Sequence, residues 1–451
     1  MDVSRLWTRT RSQLAAYYGA MTARDFTNST DHFFGLDAML AIAGARLNSA
    51  NVRIRRVWNV YRVVIYLPIL VVAWNLYLNF RRQAELDKVL SCLQALVATV
   101  SLAVRTWIIL WYYEPLMAVR RYVNRRRFGG HLQRAYDIRS EAFYQIRKTV
   151  IPATLFIMGI VASFLLVDLS NHHYLRLPFD FSETFPVLQT LCEKMFCLTF
   201  NGIGMRTVLV YLVVYMILTG LESEVKVISA MVADIFDSVE RRVHSKLASE
   251  PGSSQRQDLV GKAYFWKFAE EEFGDCIELV GEFFAIKNQV RSFLNAIFLI
   301  VYYSNVLCLS SGAVYLTQMK AVTMFSLETL GYCLWVAIEC FSLTKCVSLL
   351  TEAVGRRHSN KNQNIKRKFI NFQNESIAEE VYSLDWPNKL TFEDRFQVRY
   401  RSVRTIMLNM MAVAQQPLRL NCFGFFEFTQ ERFYELLNLA YSVFTFFKDF
   451  V

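Results

Sequence analysis

Apolar residues along this chain are gathered into long blocks separated by short charged links, a spacing that predicts membrane-spanning helices. The first 58 residues are mixed. Their one apolar piece, residues 33–43, is too brief to cross a bilayer and reads as an interfacial or re-entrant helix. Spans are then expected at about 60–80, 89–113, 149–169, 196–230, 290–316 and 322–350. The fourth is longer than a hydrocarbon core of about 30 Å requires, so its end, from Glu222 to Lys226, should project. Residues 231–289 are polar with a helical pattern around a Pro251-Gly-Ser-Ser254 linker, and 351–389 are polar and basic.

The last stretch, 404–450, breaks at Gln415-Gln416-Pro417 and resumes at Gln430. In the resumed part Glu431, Glu435, Asn438, Ser442, Thr445 and Asp449 recur at steps of four and three, which places them on one helical face. A charge at mid-bilayer costs about 2.5–3.5 kcal/mol, so this stripe should meet protein or water. The fold class expected is therefore an all-α membrane protein with seven transmembrane helices, the last one broken. The chain divides into an N-terminal cytoplasmic or interfacial segment (1–58), helices one to six (59–350), a cytoplasmic loop (351–402) and the broken seventh helix (403–451).

Composition agrees: 54% of the 451 residues are hydrophobic, with only 8 prolines, which suits apolar helices. The net charge of +11 does not point to nucleic acid, because Lys and Arg gather in the links. They crowd the segment before span one and the 2–3 and 6–7 links. The positive-inside rule then puts the N-terminus in the cytoplasm and the C-terminus outside. The sequons at Asn28 and Asn374 should then stay unmodified. Nine cysteines give neither a disulfide framework nor a metal spacing, no cofactor motif appears, and no enzyme site stands out. Asp385 and Glu393 read as surface charges. Arg105 and Glu339 lie inside apolar blocks, each roughly 25 Å below the outer end of its span. Either they pair, or each snorkels separately to the headgroups.

The C-terminal third resembles the insect odorant receptors. The likeness rests on Val381-Tyr-Ser-Leu-Asp-Trp386, on Gln415-Gln-Pro-Leu-Arg-Leu420 with Gly424 and Phe428, and on Phe433 followed by Tyr441-Ser-Val-Phe-Thr445. Thr429-Gln430 stands where that family has Ser-Leu, and Ala440 where it has Ser; residues 353–377 look inserted. Residues 275–316 are also similar. The resemblance implies an odorant receptor subunit of a ligand-gated, non-selective cation channel. Such a channel is a heterotetramer in the plasma membrane of an olfactory neuron, with an olfactory co-receptor subunit and surrounding lipid as partners. It implies a ligand-tuning subunit rather than the co-receptor itself. A gustatory receptor channel and a secondary transporter are the other readings. The gustatory ending is missing, since Phe447 and Lys448 stand in its place, and no inverted repeat supports a transporter.

The resemblance places a pocket for a hydrophobic odorant among the outer halves of spans two, three, four and six. Candidate lining residues are Leu96, Val97, Val100, Gly159, Ser163, Phe164, Phe200, Gly204, Tyr332 and Trp335. It carries the gate to Phe444 and Lys448 near Tyr441, whereas the polar stripe runs through Ser442 and Thr445, roughly 100° away around the helix. Both registers stand as expectations for the pore.

Overall fold

The computed structural model describes residues 26–27, 29–33, 35–84, 86–126, 129, 132–166, 177, 184–249, 254–318, 324–354, 377–384, 386–414 and 420–449. All regular structure among them is helical. In chain order the helices are α1 (Leu36–Ile42), α2 (Val52–Val64), α3 (Leu67–Arg81), α4 (Leu86–Trp111), α5 (Tyr113–Arg125), α6 (Gln133–Leu166) and α7 (Pro186–Ala233). There follow α8 (Ile235–Ala248), α9 (Ser254–Gln318), α10 (Met324–Val354), α11 (Ile377–Ser383), α12 (Trp386–Lys389), α13 (Gln397–Ala414) and α14 (Gln430–Asp449).

Five of the expected spans are long and apolar enough to cross a membrane: Val52–Arg81, Lys88–Trp111, Pro186–Ala233, Asp258–Thr317 and Thr329–Thr351. The third expected span falls at the end of α6, where side chains beyond Phe156 are only partly described. The broken seventh is divided between α13 and α14, and the polar stripe of α14 lowers its mean hydropathy. The first span is two helices. Pro68 has no N–H to continue the ladder, so α2 ends at Val64 and α3 starts afresh with proline in its first turn. Aromatic pairs mark two levels, Trp74 with Tyr77 on α3 and Trp107 with Trp111 on α4, all four exposed.

The polar stretch before the fifth span and the span itself are one continuous helix, α9, of 65 residues. No proline interrupts it, so nothing in the backbone forces the separate elements that hydropathy suggests. At about 1.5 Å per residue α9 is roughly 97 Å long, over twice the thickness of a whole bilayer. Its upper half packs on α4, α10 and α14, its lower half on α8 and α13. We call upper the end that holds the α3–α4 and α9–α10 links. The second axis of the core is α7, buried at every position from 208 to 218 and packed by α6, α10, α5 and α1.

The short apolar piece near the N-terminus becomes α1, and its partner is protein: Leu36, Met39 and Leu40 are buried against α7. Gly220 makes this approach possible, since a Cβ there would lie 3.3 Å from the Phe33 ring. Side chains hold the segment below. Arg120 bonds Asp31 at 2.5 Å and Asp37 at 2.9 Å, Asn124 donates to Asp31 at 2.6 Å, and Arg126 donates to the Thr30 carbonyl. His32 is buried among them, and that burial, with Arg126 nearby, pushes its pKa down to about 4. Beside it Arg139 clamps Glu224 with two bonds of 2.8 Å. Glu393 is a surface charge, paired with Lys262 at 2.7 Å. Asn28, Asn374 and Asp385 lie outside the described residues.

Candidate functional site

The break in the last span is built against α9. Asn295 accepts from the Cys422 N–H at 3.3 Å and faces Asn421 at 3.4 Å, while Phe428 stacks on Phe298 with centroids 4.2 Å apart. The chain turns there through three left-handed residues, Cys422, Phe423 and Gly424, of which only glycine takes φ +92° without strain. Residues 415–419, where the sequence places the break, are outside the described set, but the helices on either side end at Ala414 and begin at Gln430.

From that anchor α14 rises along α9 and α10. It buries Leu436 and Ala440 and half-buries Phe433 and Val443, a three–four–three spacing that is one helical stripe. Phe341 meets Phe433 edge-on at 5.4 Å, and the Ser310 hydroxyl donates to the Ala440 carbonyl at 3.0 Å. At 100° per residue the stripe Glu431, Glu435, Asn438 and Ser442 lies almost diametrically opposite, and all four are exposed. Arg432 pairs with Glu435 on this outer side. Tyr441 is 66% exposed and stands beside Phe444, centroids 6.0 Å apart. Phe444 and Thr445 are half-buried, and Thr445 donates to the Tyr441 and Ser442 carbonyls. The Lys448 side chain is outside the described set.

Higher in the bundle, the structure brings one pair of the expected pocket residues together and gives two others partners that were not expected. Leu96 and Phe200 both pack on a small cluster of Val72, Cys92, Ala95 and Phe196, joining α3, α4 and α7. Trp335 of α10 meets Tyr211 of α7 at a right angle, centroids 5.4 Å apart, and the Tyr211 hydroxyl bonds Ser342 at 2.7 Å. Tyr332, one turn above Trp335 and half-buried, reaches the Cys308 thiol of α9. Val97 is half-buried; Val100, Gly159 and Gly204 are exposed. The side chains of Ser163 and Phe164 are not among those described.

One turn below Trp335 lies Glu339. It pairs with Arg105 at 2.7 Å, the two side chains 1% and 3% exposed. Arg105 also donates to Ser304 at 3.1 Å and Asn305 at 3.3 Å, so α4, α9 and α10 are tied at one level. Of the two fates open to these charges, pairing is the one realised. Sequence reasoning did not find Tyr211, Ser304 or Asn305, because a tyrosine, serine or asparagine inside an apolar helix gives no periodic signal. It also passed over Arg206, buried in the fourth span, although hydropathy marks Arg206 as clearly as Arg105.

No family model matches the chain, and no curated protein matches it by sequence. Solved structures do. The insect olfactory receptor OR5 from Machilis hrabei in complex with eugenol aligns over 93% of this chain and 98% of its own, with a TM-score of 0.62 at 10% identity. Another structure of the same receptor covers 91% of this chain and 96% of its own, with a TM-score of 0.60 at 9% identity. At such identity the likeness speaks for architecture alone. A broken last helix, a mast-like α9 and helices matched over nearly the whole length of both chains make this an insect odorant receptor-type fold.

Proposed function

We propose that the chain is an odorant receptor subunit of a ligand-gated, non-selective cation channel. It binds a small hydrophobic volatile and works with a co-receptor in a heterotetramer of the plasma membrane. One observation carries this reading. In α14 the apolar stripe is used to pack on α9 and α10, while Glu431, Glu435, Asn438 and Ser442 point away from the rest of the chain. Turned to lipid, such a face is costly; shared with other subunits around a water path, it is not. Tyr441, Ser442 and Thr445 then line the upper part of the conduit, with Phe444 and Lys448 at its gate.

The ligand enters between α4, α7 and α10, near Leu96, Phe200 and the Tyr211–Trp335 pair. A receptor of this fold has been solved with eugenol, which supports a ligand of that size. The charge distribution supports a cytoplasmic N-terminus. The test is whole-cell current over an odorant panel with this chain alone, the co-receptor alone, and both together. Cation current whose odorant profile appears only with both is the expected result. An unchanged profile with and without this chain, at equal surface expression, refutes the reading.

A further inference from the structure

The buried arginines of this bundle are not alike. Arg105 and Arg139 each face a carboxylate at 2.7–2.8 Å. Arg206 of α7 does not. It is 2% exposed, and its one hydrogen bond runs from Nε to the Gly202 carbonyl, 3.1 Å away and one turn above. Among the described residues its two Nη groups have no acceptor. The titratable groups acting on its charge are two phenols, Tyr61 and Tyr66, at the α2–α3 break. Arginine cannot escape such a place by losing its proton, so a guanidinium within a span calls for an anion.

There is room for one. A Cβ built on Gly202 would meet nothing within 4 Å, so a strip of α7 is open one turn above Arg206. The Nε bond to Gly202 folds the side chain back along the helix toward that strip. The facing elements meet hydrocarbon: Val57, Val60 and Val63 of α2 and Leu67 and Leu70 of α3 are exposed. Depth narrows the ligand. Phe196 is level with Val72 and Cys92, and Arg206 lies ten residues, about 15 Å, below it. The Trp111 belt is nineteen residues, about 28 Å, below Cys92. Arg206 is thus roughly halfway through the apolar layer, too deep for the phosphate of a membrane lipid. A single-chain acid reaches it.

The geometry points to a binding site for an alkyl carboxylate. The acid sits bidentate on the Arg206 Nη groups beside Tyr61 and Tyr66, and its chain lies over Gly202. By helical phase this strip is opposite Phe200 and Gly204 on α7, so it is separate from the odorant site proposed above, and its test does not depend on channel function.

The experiment measures uptake of radiolabelled oleate by the full chain in nanodiscs of neutral phospholipid, with empty discs as background. Saturable uptake is expected, competed by unlabelled oleate and not by oleyl alcohol, which has the same chain without the acid. Arg206→Gln and Gly202→Leu, the second leaving the charge untouched, should each weaken it at least tenfold, and Arg206→Lys should weaken it less. Competition by hexanoate in the same range marks a water-borne acid as the source; competition by long chains alone marks a fatty acid of the bilayer. Uptake equal to empty discs, or unchanged in both Arg206→Gln and Gly202→Leu, overturns the proposal. So does an Arg206→Gln variant that melts at lower temperature than the parent chain without oleate while oleate shifts neither, since the arginine would then be structural.

Discussion

Replacing Glu339 by Gln tests the buried tie between α4, α9 and α10. The side chain keeps its size and an oxygen able to accept from Arg105, so what is lost is the charge. Two unit charges about 4 Å apart attract by roughly 4 kcal/mol at an effective dielectric of about 20. Removing one partner of a buried pair costs about 3–5 kcal/mol, because the other is left uncompensated. Arg105 retains Ser304 at 3.1 Å and Asn305 at 3.3 Å, which puts the expected loss at the lower end, about 3 kcal/mol. That is a factor of about 150 in the unfolded population and a large part of a marginal stability. Surface labelling against total protein, with the melting midpoint in detergent, reads the loss. The decisive comparison is Arg105→Met with Glu339→Leu: an apolar pair leaves no stranded charge, so the double variant should be more stable than either single. The swap of Arg105→Glu with Glu339→Arg should likewise recover part of the single losses. A double apolar variant that costs as much as its two singles added together refutes the coupling.

Trp335→Ala removes the ring that Tyr211 meets edge-on, and is expected to move the odorant dose–response curve at least tenfold while surface expression stays near normal. An unmoved curve takes α10 out of the pocket. His32, held near pKa 4 by burial and by Arg126 against an ordinary 6.5, makes the N-terminal dock sensitive to acid. Above the unfolded value both states are neutral and the dock is fully stable; as pH falls from about 6.5 to 4 the unfolded segment binds a proton that the folded one refuses. The loss approaches about 3 kcal/mol, and Asp31 and Arg139 are the other charges acting on it. Protection factors at the amides of α1, corrected for the pH dependence of intrinsic exchange, should fall over that window, and His32→Gln should flatten the response.

Much of the fold is legible in the chain because apolar blocks of membrane length have few other fates. The broken last helix is legible too, since Pro417 and the turn chemistry around Gly424 disrupt a helical pattern locally. The continuity of α9 is not, because hydropathy changes at about residue 290 while the backbone does not. For α1, a hydropathy trace sees a mostly apolar stretch of eleven residues and no partner; the close approach at Gly220, 177 residues beyond Ala43, shows where it goes. The site divides in the same way. Charges in apolar blocks announce themselves, as Arg105 and Glu339 do, but which neutral side chain completes a network depends on helix rotation. Ser304, Asn305 and Tyr211 became visible only when α9 and α7 were set against their neighbours.

A proline-free rod about 97 Å long, gripped at both ends, has the form of a lever. Pivoted at its middle, a tilt of about 5° swings each tip by roughly 4 Å, on the scale of a whole helical turn. The α14 carbonyl held by Ser310 rides on one arm; α8 and α13 are clamped to the other. Whatever seats against the upper arm therefore has mechanical purchase on the lower one without any signal passing from side chain to side chain. Gain in such a machine is set by where the fulcrum lies along the rod.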